Sequence, residues 1–297
     1  MIPSPCIGTC RMDSHSGLCA GCARTSEEIG KWRDLPEKEL RDIWERLPAR
    51  REQLGLNLHR LGWSLEELRS FITGTLCPGA GTWVCGINGA IAEFSVEVGD
   101  IVVREVEERR VLARTDGGAI AFSLPDYVRA LALGSGDDIR GDIILLAVPR
   151  GRTGTFAAQG LTSLGYDDAA LAPEDRRARL YDLGLGSLAA GFGLRTSSQA
   201  LIADLDAAQG LHWSELLALK GAEIVRESPT RVARNTIGRI EVYNRIPPPG
   251  GTSPAGPHTH LLPAQLAKGG DIPSGIQIPD AYVPCAIYYP ATPEGCA

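Results

Sequence analysis

The sequence predicts an α+β protein made of a small metal-stapled N-terminal module and a larger mixed α+β domain. Four cysteines crowd into the start of the chain, and helix-capping patterns follow them. From Thr82 onwards, short apolar runs separated by turn residues indicate strands. These strands and the later helices do not alternate regularly, which favours α+β over a parallel α/β fold.

Composition limits the classes of function. The chain has 297 residues, of which 43% are hydrophobic and 22% charged, as is usual for a globular protein. A net charge of −6 argues against nucleic acid or an anionic membrane as a partner. The longest apolar runs are too short to span a bilayer, and the N-terminus does not resemble a secretory signal. We therefore expect a cytoplasmic protein.

The cysteines form two short pairs, Cys6 with Cys10 and Cys19 with Cys22, joined by an eight-residue loop. Thiolates are soft metal ligands, and two chelating pairs can close a four-coordinate sulfur site. In a reducing compartment such a pattern more often binds metal than forms disulfides. Four thiolates suit both Zn²⁺ and an iron–sulfur cluster, so the spacing leaves both open.

Two short helices are expected to pack over these cysteines. Thr25 and Glu28 form a capping box that opens the first helix. The second is expected to start at Pro36, a residue favoured in the first helical turn, and to stop at Pro48. Together with the cysteines they make a predicted module over residues 1–54.

The larger domain is predicted over residues 55–297. Ser64 and Glu67 form another capping box, opening a helix to about Phe71. Strands are predicted at 82–85, 90–98, 101–106, 111–114, 119–124 and 143–148, and a hairpin at 230–234 with 238–245. Helices are predicted at 126–133, 173–181, 198–208 and 213–219. The proline-rich end of the chain is predicted to be mostly loop.

The N-terminal motifs CIGTCRMD, GLCAGCARTSEEIGKW and IWERLPAR resemble a family of small bacterial domains. That family has no known function and is usually labelled as predicted iron–sulfur proteins. The resemblance covers about residues 4–51 and implies that Cys6, Cys10, Cys19 and Cys22 are the ligands. It favours iron–sulfur only slightly, and zinc stays open.

Most of residues 65–290 resembles a second, uncharacterised bacterial family through motifs such as SFITGT, YDLGLG, GPHTHLLP and IPDAYVPC. Members of this family occur alone or joined to a cysteine domain. The resemblance implies a domain boundary and supplies no reaction.

A tentative second site centres on His258 and His260. In an extended segment these two side chains point the same way, so their imidazoles could chelate one metal. Glu241 or Cys285 could complete that site. The alternative is that the two histidines fix loops through hydrogen bonds to the backbone.

Three functions remain open on these patterns. The first is a metalloprotein. If its N-terminal site holds an iron–sulfur cluster, the function is electron transfer or redox sensing; if it holds zinc, the module has a structural role in docking. The second is a non-catalytic protein whose module recruits a protein partner and whose larger domain binds a small molecule. The third is a metal-dependent enzyme, hydrolytic or oxygen-using, with His258, His260 and Glu241 as ligands. Arg195 and Arg239 are either anchors for an anionic substrate or ion-pairing residues.

Overall fold

A computed structural model describes residues 2–87, 90–134, 141–156, 158–187, 189–246 and 277–291. Within these residues it has five α-helices and two antiparallel sheets, which confirms the α+β class. The helices are α1 (Ser26–Lys31), α2 (Glu37–Leu54), α3 (Leu65–Thr75), α4 (Gln199–Ala207) and α5 (Trp213–Glu227).

The strands form one sheet of six and one of eight. The six-stranded sheet has the order β1-β7-β8-β14-β2-β3, and the eight-stranded sheet β4-β5-β6-β13-β12-β11-β10-β9. Their bounds are β1 (Leu58–Arg60), β2 (Gly81–Ile87), β3 (Ala90–Ser95), β4 (Val103–Glu107), β5 (Arg110–Thr115), β6 (Gly118–Ser123), β7 (Arg129–Leu133), β8 (Ile143–Pro149), β9 (Thr162–Tyr166), β10 (Arg179–Asp182), β11 (Ala190–Thr196), β12 (Thr230–Asn235), β13 (Gly238–Val242) and β14 (Tyr282–Pro290).

The two sheets pack face to face around one apolar core. Trp83 of the six-stranded sheet meets Phe122 of the eight-stranded sheet, with ring centroids 4.8 Å apart. The Trp83 Nε1–H donates to Thr75 Oγ1 of α3 at 2.8 Å, so its one polar atom is satisfied inside the core. Apolar residues of α3, α4 and α5 join the same core.

The outer face of each sheet is covered separately. On the six-stranded sheet, Leu131 and Leu145 pack with Ile7, which lies between the first two cysteines. On the eight-stranded sheet, Leu112 and Leu171 belong to a small cluster. The cysteine module therefore covers one outer face and packs directly against the larger domain.

The predicted capping boxes at Thr25 and Ser64 are both present. The predicted stop at Pro48 is wrong, because α2 continues to Leu54 and ends at Gly55 in the left-handed conformation. Proline inside a helix removes one hydrogen bond. Leu47 lies directly before Pro48 in the helix and is buried, and this burial helps to offset that loss.

Two predicted helices are wrong because pairing within a sheet overrides the local pattern. Residues 129–133 form β7 between β1 and β8. Residues 173–177 form a short 3₁₀ turn, and 179–182 form β10.

The end of the chain was predicted to be loop, but Tyr282–Pro290 forms β14 in the interior of the six-stranded sheet. Pro284 lacks an N–H, and the pairing of β14 with β8 shifts register between Pro284 and Ala286. This irregularity lets a proline stand in an interior strand.

Candidate metal centre

The two cysteine pairs lie on loops that touch each other. Isolated bridges pair Met12 with Cys19 and Leu18 with Thr25, so the segment after the first pair folds back on itself. A Cβ on Gly21, inside the second pair, would collide with the carbonyl oxygen of Thr9, inside the first. The absence of a side chain at Gly21 thus lets one cysteine loop sit against the other.

Each pair presents a backbone donor to its first sulfur in the same way. The N–H of Gly8 lies 3.3 Å from Cys6 Sγ, and the N–H of Gly21 lies 3.5 Å from Cys19 Sγ. In both cases the donor is two residues after the cysteine. Hydrogen bonds to sulfur favour the thiolate, which is the form that binds a metal.

The thiol groups differ in how readily they ionise. Burial raises the pKa of Cys19, but backbone hydrogen bonds from Gly21 and Cys22 outweigh it and leave the pKa below its usual value. Burial raises the pKa of Cys22, although Arg24 Nε lies 3.4 Å from its sulfur and opposes the shift. The negative charge of Cys19 raises the pKa of Cys10. Cys19 therefore ionises more readily than Cys10 and Cys22.

The four cysteines are neighbours. Cys10 interacts with Cys19 and Cys6, and Cys19 also interacts with Cys22.

All seven cysteines in the described ranges are free thiols. In that part of the chain, no three histidine, cysteine, aspartate or glutamate side chains converge closely enough to hold a metal ion as they stand. Cys19 and Cys22 are buried, whereas Cys10 is exposed.

The first cysteine loop is anchored to the larger domain. Ile7 is buried against the six-stranded sheet, and a Cβ on Gly8 would lie 2.6 Å from the Ala281 Cβ, just before β14. Trp44 of α2 donates its Nε1–H to the Pro3 carbonyl at 3.0 Å. The cysteines thus lie at the contact between the module and the sheet.

Glu241, a predicted ligand of the second site, lies in a buried network of charges. Its side chain is fully buried on the outer face of the eight-stranded sheet. One carboxylate oxygen is 2.7 Å from Arg195 Nη1 and 3.0 Å from the Tyr243 hydroxyl, which donates to it. The other accepts from Arg239 Nε at 2.6 Å and from the Leu171 N–H at 3.0 Å.

Two aspartates extend this network. Arg195 lies 3.2 Å from Asp167 and 2.5 Å from Asp175, and Arg239 also pairs with Asp167. Burial raises the pKa of Glu241, but Arg239 and Arg195 more than reverse this, so the pKa falls below its usual value. Arg195 and Arg239 therefore act here as ion-pairing residues, and both oxygens of Glu241 already accept hydrogen bonds.

Cys285 lies elsewhere, in the apolar layer between the two sheets. Burial raises its pKa to about 12, and its neighbour there is the buried thiol of Cys85. Glu241 and Cys285 are on opposite sides of the eight-stranded sheet and do not share a site. His258 and His260 lie outside the described residues, so chelation by these histidines stays a prediction.

Sequence reasoning missed Asp167 and Asp175. No local motif marks them, since Asp167 and Glu241 are 74 positions apart along the chain and meet only once the sheet has formed. An acidic residue facing a buried arginine cannot be recognised from spacing alone.

The geometry thus defines an α+β sandwich protein with a cysteine-rich module docked on one outer face. Residues 67–295 match the model of a family described as a family of unknown function, DUF6925. This is more than half of the chain, which therefore belongs to that family. Residues 4–51 match the model of a second family, described as a protein of unknown function, DUF1289.

No curated protein and no solved structure matches the chain. None of the helices in the described segments is both long enough and apolar enough to cross a membrane.

Proposed function

We propose that the N-terminal module is a structural metal site in which Cys6, Cys10, Cys19 and Cys22 bind one ion. The observation that carries this proposal is the matched N–H···S hydrogen bond at the first cysteine of each pair. Hydrogen bonds to ligand sulfurs are a usual outer-shell feature of metal sites, and here the same donor position recurs in both pairs. The match of residues 4–51 to a family model is compatible with this role.

Zinc fits the spacing better than an iron–sulfur cluster. A tetrahedral zinc site with bonds of about 2.3 Å places its sulfurs roughly 3.8 Å apart, in mutual contact. A cluster separates its ligand sulfurs because iron and sulfide atoms lie between them. The two cysteine loops are in close contact, with Gly21 against the carbonyl oxygen of Thr9, which supports the compact site of a single ion.

The proposed role of the ion is to hold the first cysteine loop on the six-stranded sheet. Ile7 lies between two of the ligands and packs with Leu131 and Leu145. Closing the sulfur site would therefore fix the apolar contact that joins the module to the larger domain. A cytoplasmic location, where thiols remain reduced, belongs to the same proposal.

Metal analysis of the full chain, purified both with and without oxygen, tests this proposal. We expect colourless protein with about one zinc per chain, as four-thiolate sites hold. Cys19→Ser should lose the metal, whereas the matched control Cys77→Ser, which removes a thiol outside the module, should retain it.

A brown protein whose visible absorption is bleached by dithionite would show that the site holds an iron–sulfur cluster and not zinc. Metal-free protein with an ordered module would overturn the metal site altogether. The same zinc content in Cys19→Ser and Cys77→Ser would show that zinc binds elsewhere.

A further inference from the structure

A cavity of about 450 Å³ lies at the contact between the module and the larger domain. The start of the chain and the end of α1 form one wall. The other wall comes from β1, the start of α3 and the start of β7. It is separate from the cysteine loops, none of whose four thiols lines it.

Three guanidinium groups line this cavity: those of Arg33, Arg60 and Arg129. Its one acidic lining residue, Asp126, is paired with Arg109 at 2.7 Å. Arg129 donates to two backbone carbonyls and, in the described part of the chain, has no carboxylate partner. The lining thus carries excess positive charge on a protein whose net charge is −6.

Arg60 is the least compensated of these groups. It ends β1, paired with Leu131 of β7, and its Nε is buried without a hydrogen-bond partner. No carboxylate of the described residues lies within ion-pair distance of it. Burial, with a further contribution from Arg129, lowers the pKa of Arg60 to about 10, so the side chain is still charged at neutral pH. The side chain is half-buried, and its Nε is a buried donor left without a partner, which is costly; a bound anion would remove that cost.

The remaining lining is aromatic and aliphatic. Trp32 and Trp63 both border the cavity, with Leu65 and Leu68 beside them. Trp63 is held by Phe71, with ring centroids 4.7 Å apart. Such a surface favours a ligand with a planar apolar part, because tryptophan faces stack well on flat groups.

We propose that this cavity binds a small organic anion with a planar apolar body. Its oxyanion group lies against Arg60 and Arg129, and its body packs beside Trp63. The planar fork of a guanidinium pairs with carboxylate and phosphate oxygens through two parallel hydrogen bonds, so both oxyanions share the chemistry recognised here.

The competing explanation is that Arg60 compensates the cysteine centre. Cys6 attracts the charge of Arg60, and four thiolates around Zn²⁺ would carry a net negative charge. In that case Arg60 would influence metal binding and the cavity would not need an anion.

Titration of the full-length, metal-analysed protein with phenyl phosphate, benzoate and inorganic phosphate tests the proposal. Calorimetry and tryptophan fluorescence are the readouts, since two tryptophans border the cavity. We expect saturable binding of one or both aromatic anions, tighter than inorganic phosphate, and weakened by salt. The better of the two aromatic anions identifies the oxyanion. Arg60→Gln should weaken binding at least about tenfold, as expected for a lost charge-assisted pair, and the exposed control Arg177→Gln should leave it unchanged.

Arg129→Gln provides a second test should Arg60→Gln fail to fold, and it should weaken the same binding. If none of the three probes bound in a saturable way, the proposal would be overturned. So would equal affinity in Arg60→Gln and the unsubstituted chain. Lower zinc content in Arg60→Gln together with unchanged anion binding would assign Arg60 to the cysteine centre instead.

Discussion

The cysteine module and the sandwich are stabilised by different means. The sandwich buries large side chains, including Trp83 and Phe122, between two sheets. The module's own buried cluster is Ala23, Ile43 and Leu47. Apolar burial contributes roughly 25 cal/mol per Å², so the sandwich has ample driving force and the module little. The module therefore needs stabilisation beyond its own core, which its contact with the sheet supplies and which the proposed sulfur site would add.

The arginines on the outer face of the eight-stranded sheet and those at the contact between module and sandwich also differ in how their charges are compensated. On the outer face of the eight-stranded sheet, Arg195 and Arg239 are surrounded by carboxylates. At the contact between module and sandwich, Arg60 has no such partner among the described residues, and Arg129 bonds to carbonyls. Arginines that are paired with carboxylates of the same chain have a structural role, whereas an arginine without a carboxylate partner in a cavity is typical of a binding site for an anion.

Removing the metal should have the largest effect. Structural zinc supplies on the order of 10 kcal/mol or more of folding free energy to small modules. We expect a chelator to abolish hydrogen-exchange protection around Cys19 and Ala23 while Trp83 and its neighbours in β2 stay protected. Loss of protection in both units together would show that they unfold as one and would break the comparison.

Breaking the buried ion network should have the next largest effect. Arg195→Met leaves Glu241 and Asp167 with Arg239 as their remaining arginine partner, and it leaves Asp175 with no arginine partner in the network. Removing one member of a buried ion pair typically costs about 3–5 kcal/mol. Urea unfolding followed by circular dichroism measures this loss.

The matched control for this variant is Arg177→Met, since Arg177 is exposed on the turn before β10. It should change the free energy of unfolding by less than about 0.5 kcal/mol. If both variants lost the same stability, the buried charges would not contribute more than surface charges.

A histidine at the boundary gives a smaller, pH-dependent effect. His59 in β1 is buried, and its Nδ1 lies 3.1 Å from the Gly134 carbonyl oxygen. Burial, and then the charge of Arg51, lowers the pKa of His59 from 6.5 to about 4. The folded state therefore binds the proton less readily than the unfolded state, and stability falls as pH drops below 6.5.

Between pH 7 and pH 5 this histidine should remove about 2 kcal/mol of stability. His59→Gln should flatten the dependence over this range, and His212→Gln, at the exposed start of α5, should not. Urea midpoints at several pH values provide the measurement. Equal slopes in the two variants would assign the pH dependence to other groups.

Features set by neighbours in sequence were predictable. The capping boxes at Thr25 and Ser64 need only residues three positions apart, and both form. The strands around the Asp116–Gly118 turn were also recognisable, because their apolar runs and their turn are local. Such features depend little on the rest of the fold.

Features set by distant parts of the chain were not predictable. The segment 129–133 looks helical alone but is a strand because β1 and β8 pair with it. The network around Arg195 joins residues from four separate segments. The spacing of the cysteines predicted the candidate ligands. It did not predict their hydrogen bonds, and it did not predict their position on the sheet, which depends on the tertiary contact of Ile7.

The smallest predicted effect is that of Gly17→Ala, and Gly8, which shares its left-handed backbone, provides the comparison. Gly8 has a φ of +84° and Gly17 a φ of +68°. A Cβ at Gly17 meets nothing within 4 Å, whereas one at Gly8 lies 2.6 Å from the Cβ of Ala281. Gly17→Ala should therefore cost about 1 kcal/mol for the backbone alone. Gly8→Ala should cost roughly 1–3 kcal/mol more because the loop must move off the sheet.

Hydrogen exchange and zinc affinity separate these two variants. Gly8→Ala should weaken zinc binding and increase exchange in the first cysteine loop, since Gly8 also donates its N–H to Cys6 Sγ. Gly17→Ala should leave zinc affinity nearly unchanged. Equal effects of the two substitutions would mean that the contact with Ala281 does not hold the cysteine loop, and that the module depends on its metal alone.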